Sequence, residues 1–258
     1  MGKNQLGFPL TYSKLYKYYD LLSASQDEID RKNHFIDRIL SQHKVKTVLD
    51  FTCGTGAQLF GLTTLGYQVT GVDLSPFLLK IAREKSQQKK LGVELIEGDV
   101  RETQVGSFDA AITIFNAIGH LTKTDFEKGI RNIHENLVIG GVYVFDIFNL
   151  NAMTDDAIKN LAMDVKVITG DTKIYHSQNS EIDRENGRLT SYDCFTIEKE
   201  CNEPKVLKDK FTLQIYTARE LRRILIRNGF EVLGQYELNG SKLSEQETVN
   251  MLTVAKKS

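Results

Sequence analysis

The sequence predicts an α/β fold in which a doubly wound, mostly parallel sheet carries a small antiparallel β insert. Residues 48–73 read as a strand, a turn through two glycines, a helix and a second strand that ends in an acid. Strand-like and helix-like segments then alternate as far as Phe148, which favours parallel pairing. Residues 152–216 instead show successive strand patterns without intervening helices, which indicates an antiparallel meander.

Local signals justify the elements of the main sheet. We predict strands at residues 45–51, 67–73, 93–96, 108–115, 142–148, 230–237 and 248–256, and helices at residues 11–22, 29–40, 57–65, 76–90, 124–137 and 217–228. Ser75 before Pro76 is a typical helix start, because the serine caps the helix and proline suits its first position. Thr124 and Thr217 each stand three residues before a glutamate, which predicts two more capped starts. A turn at residues 140–141 should lead into the fifth strand.

The insert sets the predicted domain organisation. Residues 1–151 and 217–258 form the main domain, and residues 152–216 form an inserted subdomain. Within the insert we predict strands around residues 163–167, 189–197 and 211–216, from alternation in the first and from β-branched and aromatic residues in the other two. Asn186-Gly187 is a hairpin turn signal just before the second of these strands.

The glycine turn and the acids beside it indicate a nucleoside site. Gly54 and Gly56 let a ligand approach the backbone and direct a helix N-terminus at it. Leu59 occupies the place where a dinucleotide-binding turn has its third glycine, which argues against such a cofactor. Asp50 would repel a pyrophosphate but could attract the ammonium group of an amino acid, whereas Asp73 can accept two hydrogen bonds from a ribose diol.

Five blocks of sequence resemble one enzyme family in order and spacing. They are DFTCGTG from Asp50, VTGVDLSPFLLKIAREK, IEGDVRE, SFDAAITIFNAIGHL and GGVYVFDIFN. Together they are similar to the class I S-adenosylmethionine-dependent methyltransferases, and among them to small-molecule N-methyltransferases of the glycine/sarcosine and sugar-amine types. The resemblance implies a seven-stranded, Rossmann-like methyltransferase fold, an S-adenosyl-L-methionine cofactor and methyl transfer by direct displacement.

The resemblance also implies roles for individual residues. Asp73 would hold the ribose, Leu74 would lie under the adenosine, and Asp99 would bind the adenine amino group with Val100 beside the ring. A plain turn aspartate after Gly98 is the alternative reading of Asp99. The full set of expected cofactor residues is Tyr19, Asp50, Cys53, Gly54, Gly56, Asp73, Leu74, Asp99, Val100, Phe115 and Asn116. Tyr19 belongs to a segment that would fold over the cofactor, and Cys53 is expected to be part of the turn and not a nucleophile.

The acceptor side has three candidates, Asn116, His120 and Tyr175. His120 follows the fourth strand and could take a proton from the acceptor as a catalytic base. A packing role is the alternative for both His120 and Tyr175. Nucleic-acid amino methyltransferases carry two prolines after the residue that corresponds to Asn116, and none stands in this segment. We therefore expect a small-molecule acceptor.

Composition narrows the remaining classes. The chain has 258 residues and a net charge of −1, which gives no general attraction for nucleic acid. No apolar run has the length of a membrane span, and three cysteines form no metal or disulfide pattern, so we expect a cytoplasmic protein that is not membrane-bound. Asp146 and Asn149 do not complete a metal-binding acidic set, so we predict no metal.

We therefore predict an S-adenosylmethionine-dependent methyltransferase that acts on a small molecule, with an amine as the favoured acceptor. The alternatives are an RNA or protein methyltransferase, and a cofactor-binding protein that has lost catalysis. The acceptor's identity, N- versus O-methylation, the pathway and the oligomeric state stay open.

Overall fold

A computed structural model describes residues 6–200 and 202–258, which form two separate β-sheets. The main sheet has seven strands: β1 (Thr47–Asp50), β2 (Gln68–Asp73), β3 (Glu94–Glu97), β4 (Phe108–Thr113), β5 (Leu137–Phe148), β10 (Phe230–Glu237) and β11 (Asn250–Lys257). The second sheet has four: β6 (Met163–Thr169), β7 (Thr172–Asp183), β8 (Arg188–Lys199) and β9 (Lys205–Gln214). This arrangement confirms the predicted fold class.

The strand order of the main sheet is β10-β11-β5-β4-β1-β2-β3. Strands β1 to β5 pair in parallel, and β11 pairs antiparallel with both β5 and β10. The sheet order turns back at β1, because β2 lies on one side of it and β4 on the other. Ligands of open parallel sheets bind at the carboxyl ends of the strands at such a reversal. Asp50, the last residue of β1, lies at that point.

Seven α-helices accompany the sheets in the described residues: α1 (Tyr19–Leu22), α2 (Gln26–Gln42), α3 (Ala57–Thr64), α4 (Pro76–Lys89), α5 (Lys123–Glu135), α6 (Asp155–Asn160) and α7 (Ala218–Arg227). Apolar side chains of α2, α3 and α4 form a buried cluster on one face of the main sheet. Those of α5 and α7 form a second cluster on the other face. Two apolar faces covered by helices are what a doubly wound sheet requires.

Side-chain caps fix several helix starts. Ser75 Oγ accepts from the backbone N–H of Leu78 and Pro76 opens α4, as predicted. Thr217 Oγ1 accepts from Glu220 N–H at the start of α7, also as predicted. The predicted cap at Thr124 is wrong, because α5 begins earlier, after Thr122.

The strand that follows α5 also differs from the prediction. The predicted turn at residues 140–141 lies within β5, whose register with β4 shifts between the Phe108–Leu137 and Ala110–Val142 pairs. A bulge accommodates the extra residues, and Gly140 takes a left-handed φ of 80° there.

The N-terminal segment does not form the predicted helix over residues 11–22. Two short 3₁₀ turns, Leu10–Tyr12 and Tyr16–Tyr18, precede the four-residue helix α1. Its aromatic residues have different neighbours, since Tyr16 packs against Phe77 with ring centroids 5.3 Å apart whereas Tyr12 contacts Tyr19. A straight helix would direct residues 12, 16 and 19 to one side, so it could not place these rings against separate neighbours.

The second sheet is an antiparallel meander, as predicted, but it has four strands where the sequence indicated three. Strand β7 was not predicted; it pairs with β8 along its whole length and with β6 over residues 172–178. Met153, Leu189, Leu213 and Ile215 form a small buried cluster where the meander joins the main domain. The boundaries proposed for the insert, residues 152–216, stay a prediction. Among the described residues, no helix is both long and apolar enough to cross a membrane.

Candidate active site

The turn after β1 brings backbone and carboxylates together. Gly54 and Gly56 have left-handed φ angles of 53° and 96°, which favour glycine at both positions. A Cβ on Gly54 would meet only Leu78 and the Tyr19 hydroxyl, at 3.9 and 4.0 Å, so there is space for a ligand beside this glycine. Gly54 N–H donates to Asp73 Oδ2 at 2.8 Å, which joins the turn to the end of β2.

Asp50 is buried and Asp73 is half-buried in this cleft, and neither has a cationic partner among the described residues. Burial raises the pKa of Asp50 to about 8, although a bond from Thr52 N–H partly offsets the effect and Asp73 adds to it. Burial likewise raises the pKa of Asp73 to about 6, against bonds from Ser75 and Gly54 N–H. No ion pair of the described residues includes either acid. A buried carboxylate without a cation fits a ligand that brings a positive charge.

Cys53 lies buried in the same turn, and its N–H donates to Val72 O at 3.0 Å. Burial raises the pKa of its thiol well above the ordinary value, and Asp50 and Asp73 add to the effect. A thiol that resists ionisation is a poor nucleophile. Cys53 thus lies within the turn, and its expected lack of a nucleophilic role stays a prediction.

The N-terminal segment is fastened to this cleft at two places. Asp20 accepts from Thr55 Oγ1 at 2.6 Å and pairs with Lys85 Nζ at 2.7 Å. The Tyr12 carbonyl accepts from Ser75 Oγ at 2.6 Å. Tyr19 lies between these anchors, and burial, together with Asp73, Asp20 and Asp50, raises the pKa of its hydroxyl. The segment therefore lies against the glycine turn, and the expectation that it folds over the cofactor stays a prediction.

Asp99, expected at an adenine amino group, is paired with Arg101 in the structure. Both carboxylate oxygens accept from the guanidinium, at 2.5–3.0 Å. Burial opposes ionisation, but these bonds prevail and hold the pKa of Asp99 below its usual value. Val100 packs against the core through its side chain, and Leu74 is half-buried directly after Asp73. A ligand that contacted Asp99 in this structure would therefore also meet Arg101.

The end of β4 has a strained backbone that a buried ion pair holds. Phe115 and Asn116 both have left-handed φ, 65° and 56°, which non-glycine residues rarely adopt. Asp146 of β5 accepts from Asn116 N–H at 3.0 Å and from Lys32 Nζ at 3.2 Å. The Lys32 ammonium also lies 3.7 Å from the centroid of the Phe115 ring. These contacts fix the turn that leads to His120.

A cavity of 310 Å³ opens between this turn and the insert. Its wall on the side of the main domain includes Tyr12, Phe115, Asn116 and His120. The wall from the insert is formed by apolar side chains and a short polar row, namely Leu161, Met163, Gln178, Ser180, Leu189, Ser191, Phe211 and Leu213. The cavity therefore lies between the strand ends of the main sheet and the meander.

His120 is buried in an aromatic surrounding within this cavity. The rings of Phe8, Tyr12 and Phe211 lie 5.4–5.7 Å from the imidazole, and the Tyr12 hydroxyl lies 3.2 Å from Nε2. Burial lowers the pKa of His120 to about 4, so the ring is neutral at pH 7. Its Nδ1 is buried and has no hydrogen-bond partner among the described residues. A ring with so low a pKa is a weak base, so it suits hydrogen bonding better than proton abstraction.

Tyr175 is the one expected acceptor residue that the structure does not bring to the cavity. Side chains alternate along β7, and Gln178 and Ser180 face the cavity, so Tyr175 lies on the opposite face. Its ring lies 5.3 Å from Lys166 Nζ instead. Sequence reasoning also missed Tyr12 and Gln178, because only tertiary contacts distinguish them from neighbouring tyrosines and polar residues.

Comparison with known proteins matches part of this sequence, and its fold, to methyltransferases. Residues 48–141 match the family described as "Methyltransferase domain". Over 157 residues the chain is 28% identical to a putative methyltransferase of Geobacillus sp., covering 58% of this chain and 63% of the relative. Over 125 residues it is 31% identical to glycine N-methyltransferase of Oryctolagus cuniculus, covering 42% of each. The chain thus covers less than two thirds of these relatives.

Solved structures agree over the whole chain. An S-adenosylmethionine-dependent methyltransferase from Clostridium acetobutylicum superposes with a TM-score of 0.77 at 18% identity, covering 96% of this chain and 99% of that one. The S-adenosylmethionine-bound amino pentose methyltransferase CalS10 from Micromonospora echinaspora gives 0.73 at 21% identity, covering 98% and 99%. The fold and the predicted resemblance to class I methyltransferases are confirmed, and the matched domain supports the prediction of an enzyme.

Proposed function

We propose that this protein is an S-adenosylmethionine-dependent methyltransferase that methylates a small-molecule amine. The observation that supports the proposal is the cavity between the strand ends and the insert, which is lined by Asn116, His120 and Tyr12. The Tyr12 ring contacts Tyr19, whose hydroxyl lies beside Gly54 of the glycine turn. Relatives described as glycine and glycine/sarcosine N-methyltransferases, and an aminosugar N,N-dimethyltransferase of Streptomyces venezuelae, support an amine acceptor. The free thiols of Cys53 and Cys194 suit the reducing cytoplasm that we propose as its location.

The residues of the cleft fit the cofactor. The uncompensated carboxylate of Asp50 suits the ammonium group of its methionine part, and Asp73 suits the ribose diol. Space beside Gly54 allows the close approach that such a ligand needs. When bound, S-adenosylmethionine supplies an electrophilic methyl group. Transfer would form a nitrogen–carbon bond as the sulfur–carbon bond breaks, and the methylated amine would then release its extra proton to water.

The chain's own contribution is orientation and exclusion of water. The buried cavity disfavours the ammonium form of the acceptor and so presents its lone pair. We propose that the neutral His120 ring, next to the Tyr12 hydroxyl, accepts a hydrogen bond from the amine and directs that lone pair. Alignment alone can supply much of the rate enhancement of a two-substrate displacement.

Replacement of His120 tests this role. His120→Ala should lower kcat by about 10- to 100-fold, the range for lost alignment or proton handling, and leave S-adenosylhomocysteine affinity unchanged. His120→Asn keeps a hydrogen-bond acceptor and should retain more activity than the alanine variant. Equal loss in both variants would contradict an orienting role. A loss of kcat in Tyr12→Phe similar to that in His120→Ala would show that the Tyr12 hydroxyl and the His120 ring act together.

The pH profile separates orientation from base catalysis. With the pKa of His120 near 4, its ionisation contributes no limb between pH 6 and 9. The rate should rise toward alkaline pH with a midpoint that follows the pKa of the acceptor amine. Two acceptors of different basicity would reveal this shift. A fixed midpoint near the ordinary histidine pKa would indicate general-base catalysis instead.

A labelled-methyl assay tests the proposed function as a whole. The panel contains small amines, small hydroxy compounds, bulk transfer RNA and a histone mixture. We expect transfer to an amine. Transfer to a macromolecule alone would favour the alternative of RNA or protein methylation. Tight S-adenosylhomocysteine binding without transfer to any class would favour a non-catalytic binding protein.

A further inference from the structure

The insert gives the cavity a polar row that the cofactor site does not explain. Gln178, Ser180 and Ser191 face the cavity from adjacent strands. The Ser180 and Ser191 hydroxyls lie 3.0 Å apart, and Gln178 Nε2 donates to Asp193 Oδ1 at 2.9 Å. Asp193 is 5% exposed, and its Oδ1 is also 2.8 Å from His176 Nε2. These hydrogen bonds along the same face of the sheet hold the polar row in a fixed arrangement.

Two amide oxygens are left as open acceptors on opposite sides of this cavity. Because Asp193 holds the Gln178 nitrogen, the Oε1 of that amide has no partner among the described residues. Asn116 Oδ1 is buried and likewise lacks a partner within the described part of the chain. The buried oxygen of Asn116 is costly to leave without a partner, and the oxygen of the half-buried Gln178 side chain is also open, so a ligand that supplies N–H or O–H donors would be favoured.

The charges around the row have one sign. Asp209 is the cross-strand partner of Asp193 on the same face of the sheet, and its Oδ2 accepts from Leu10 N–H at 2.6 Å. No lysine or arginine of the described residues lines the cavity. Side chains alternate along β9, so Lys208 and Lys210 lie on the opposite face, where Lys210 Nζ is 5.1 Å from the Tyr192 ring.

We infer that the part of the acceptor held in this cavity is a donor-rich amine without a carboxylate or phosphate group. This inference rests on the proposed function and defines its substrate class. A carboxylate or phosphate would meet two amide oxygens in a cavity that no cationic side chain of the described residues lines, with the carboxylates of Asp193 and Asp209 next to its polar row, whereas hydroxyl and amino groups would satisfy the amide oxygens. Glycine and sarcosine are therefore poor acceptors for this chain, despite its similarity to enzymes named for them.

Matched pairs of amines test the inference. Serinol has a hydroxymethyl group where serine has a carboxylate. Glucosamine 6-phosphate carries a phosphate that glucosamine lacks. Methyl transfer is measured by kcat/KM, and binding is measured by titration into the protein saturated with S-adenosylhomocysteine. In each pair, we expect the compound without the anionic group to be favoured at least about tenfold in both measurements, since like-charge contact is strongly unfavourable.

Charge variants assign the selectivity to the insert. Gln178→Lys places a cation in the row and should reverse the preference toward serine and the phosphate ester. Asn179→Lys adds the same charge on the exposed, opposite face of β7 and should leave the preference unchanged. Circular dichroism and thermal melting identify any variant that does not fold, and Ser191→Lys then serves as the replacement.

The possible outcomes are distinct. The inference is overturned if the wild-type protein binds or methylates an anionic member as well as its partner, if no neutral member binds, or if folded Gln178→Lys and Asn179→Lys behave alike. Absence of transfer to every compound would contradict the proposed function, and the binding titrations would still decide the charge preference.

Discussion

Asp50 shows how a single residue can support ligand binding at the expense of stability. Burial raises the pKa of its carboxyl to about 8, whereas an unfolded aspartate has a pKa of about 3.9. The folded protein therefore holds more protons than the unfolded chain between these values, and stability falls as pH rises through the window. A ligand ammonium would reverse this effect, because it stabilises the ionised form.

Asp50→Asn should consequently stabilise the ligand-free protein and weaken its cofactor binding. The stability gain should grow between pH 4 and pH 8, and the affinity for S-adenosylhomocysteine should fall by about 1.5–3 kcal/mol, the range for hydrogen bonds to charged groups. Denaturant unfolding at several pH values and calorimetric titration measure the two effects.

Asp109→Asn provides a control of opposite sign. Asp109 accepts from the N–H groups of Lys46 and Thr47, away from the cleft, and these bonds outweigh burial and lower its pKa. Its contribution to stability is present above the unfolded pKa and is lost at lower pH. The variant should therefore be less stable than the wild type at pH 7. A pH-independent effect of Asp50→Asn would contradict the assignment of that carboxyl.

At the scale of elements, α2 and β5 are joined by the Lys32–Asp146 pair. Lys32 is 5% exposed and Asp146 is fully buried, and the carboxylate also holds the strained turn at Asn116. Lys32→Met leaves a buried charge without its partner, so it should cost about 3–5 kcal/mol in the free energy of unfolding. Lys32→Met combined with Asp146→Asn should recover part of this loss.

A double-mutant cycle in urea measures that coupling. Asp146→Asn keeps an oxygen that can accept from Asn116 N–H, so the turn should survive in the double variant. Additive losses in the two single variants would show that the ion pair is not coupled. The pair could not be predicted from sequence, because the two residues lie 114 positions apart and each occurs in an ordinary local pattern.

Strand β7 explains why the insert was only partly predicted. Its inner face carries His176, Gln178 and Ser180, so the apolar alternation that reveals a half-buried strand is absent. These polar residues are tolerated there because Asp193 and Ser191 satisfy them across the sheet. The polar inner face of β7, which made this strand hard to predict, thus also forms part of the cavity wall.

The main sheet was predictable for the opposite reason. Glycines with left-handed φ, capped helices and buried apolar strands all give local signals. Asp50 and Asp73 end their strands, and Asn116 stands three residues after the end of β4. The position of Tyr12 gave no such signal. It belongs to a segment whose path depends on distant anchors, the bond from Ser75 Oγ to its carbonyl and the ring of His120. Local patterns cannot indicate such partners.

At the scale of the whole molecule, we propose that the two sheets divide cofactor binding from acceptor recognition. The acids Asp50 and Asp73 belong to the main sheet, and the polar row belongs to the meander. The junction is narrow, because Leu150 N–H donates to Tyr216 O at 2.9 Å. A short connection could therefore replace the meander without stretching the main domain, and closing so short a loop has a small entropic cost.

Replacement of residues 155–213 by a short Gly/Ser linker tests this division. Tyr216 is kept, since it is fully buried in the core of the main domain. The variant should bind S-adenosylhomocysteine within about threefold of the wild type, because Asp50, Asp73, Asp20 and Lys85 all remain, and additive behaviour is expected for distant sites. Methyl transfer should be lost, because the acceptor would face open water without the polar row. Calorimetry and the labelled-methyl assay measure the two outcomes, with thermal melting as the check on folding. Loss of cofactor affinity in a folded variant, or retained transfer with wild-type selectivity, would show that the meander does not have this separate role.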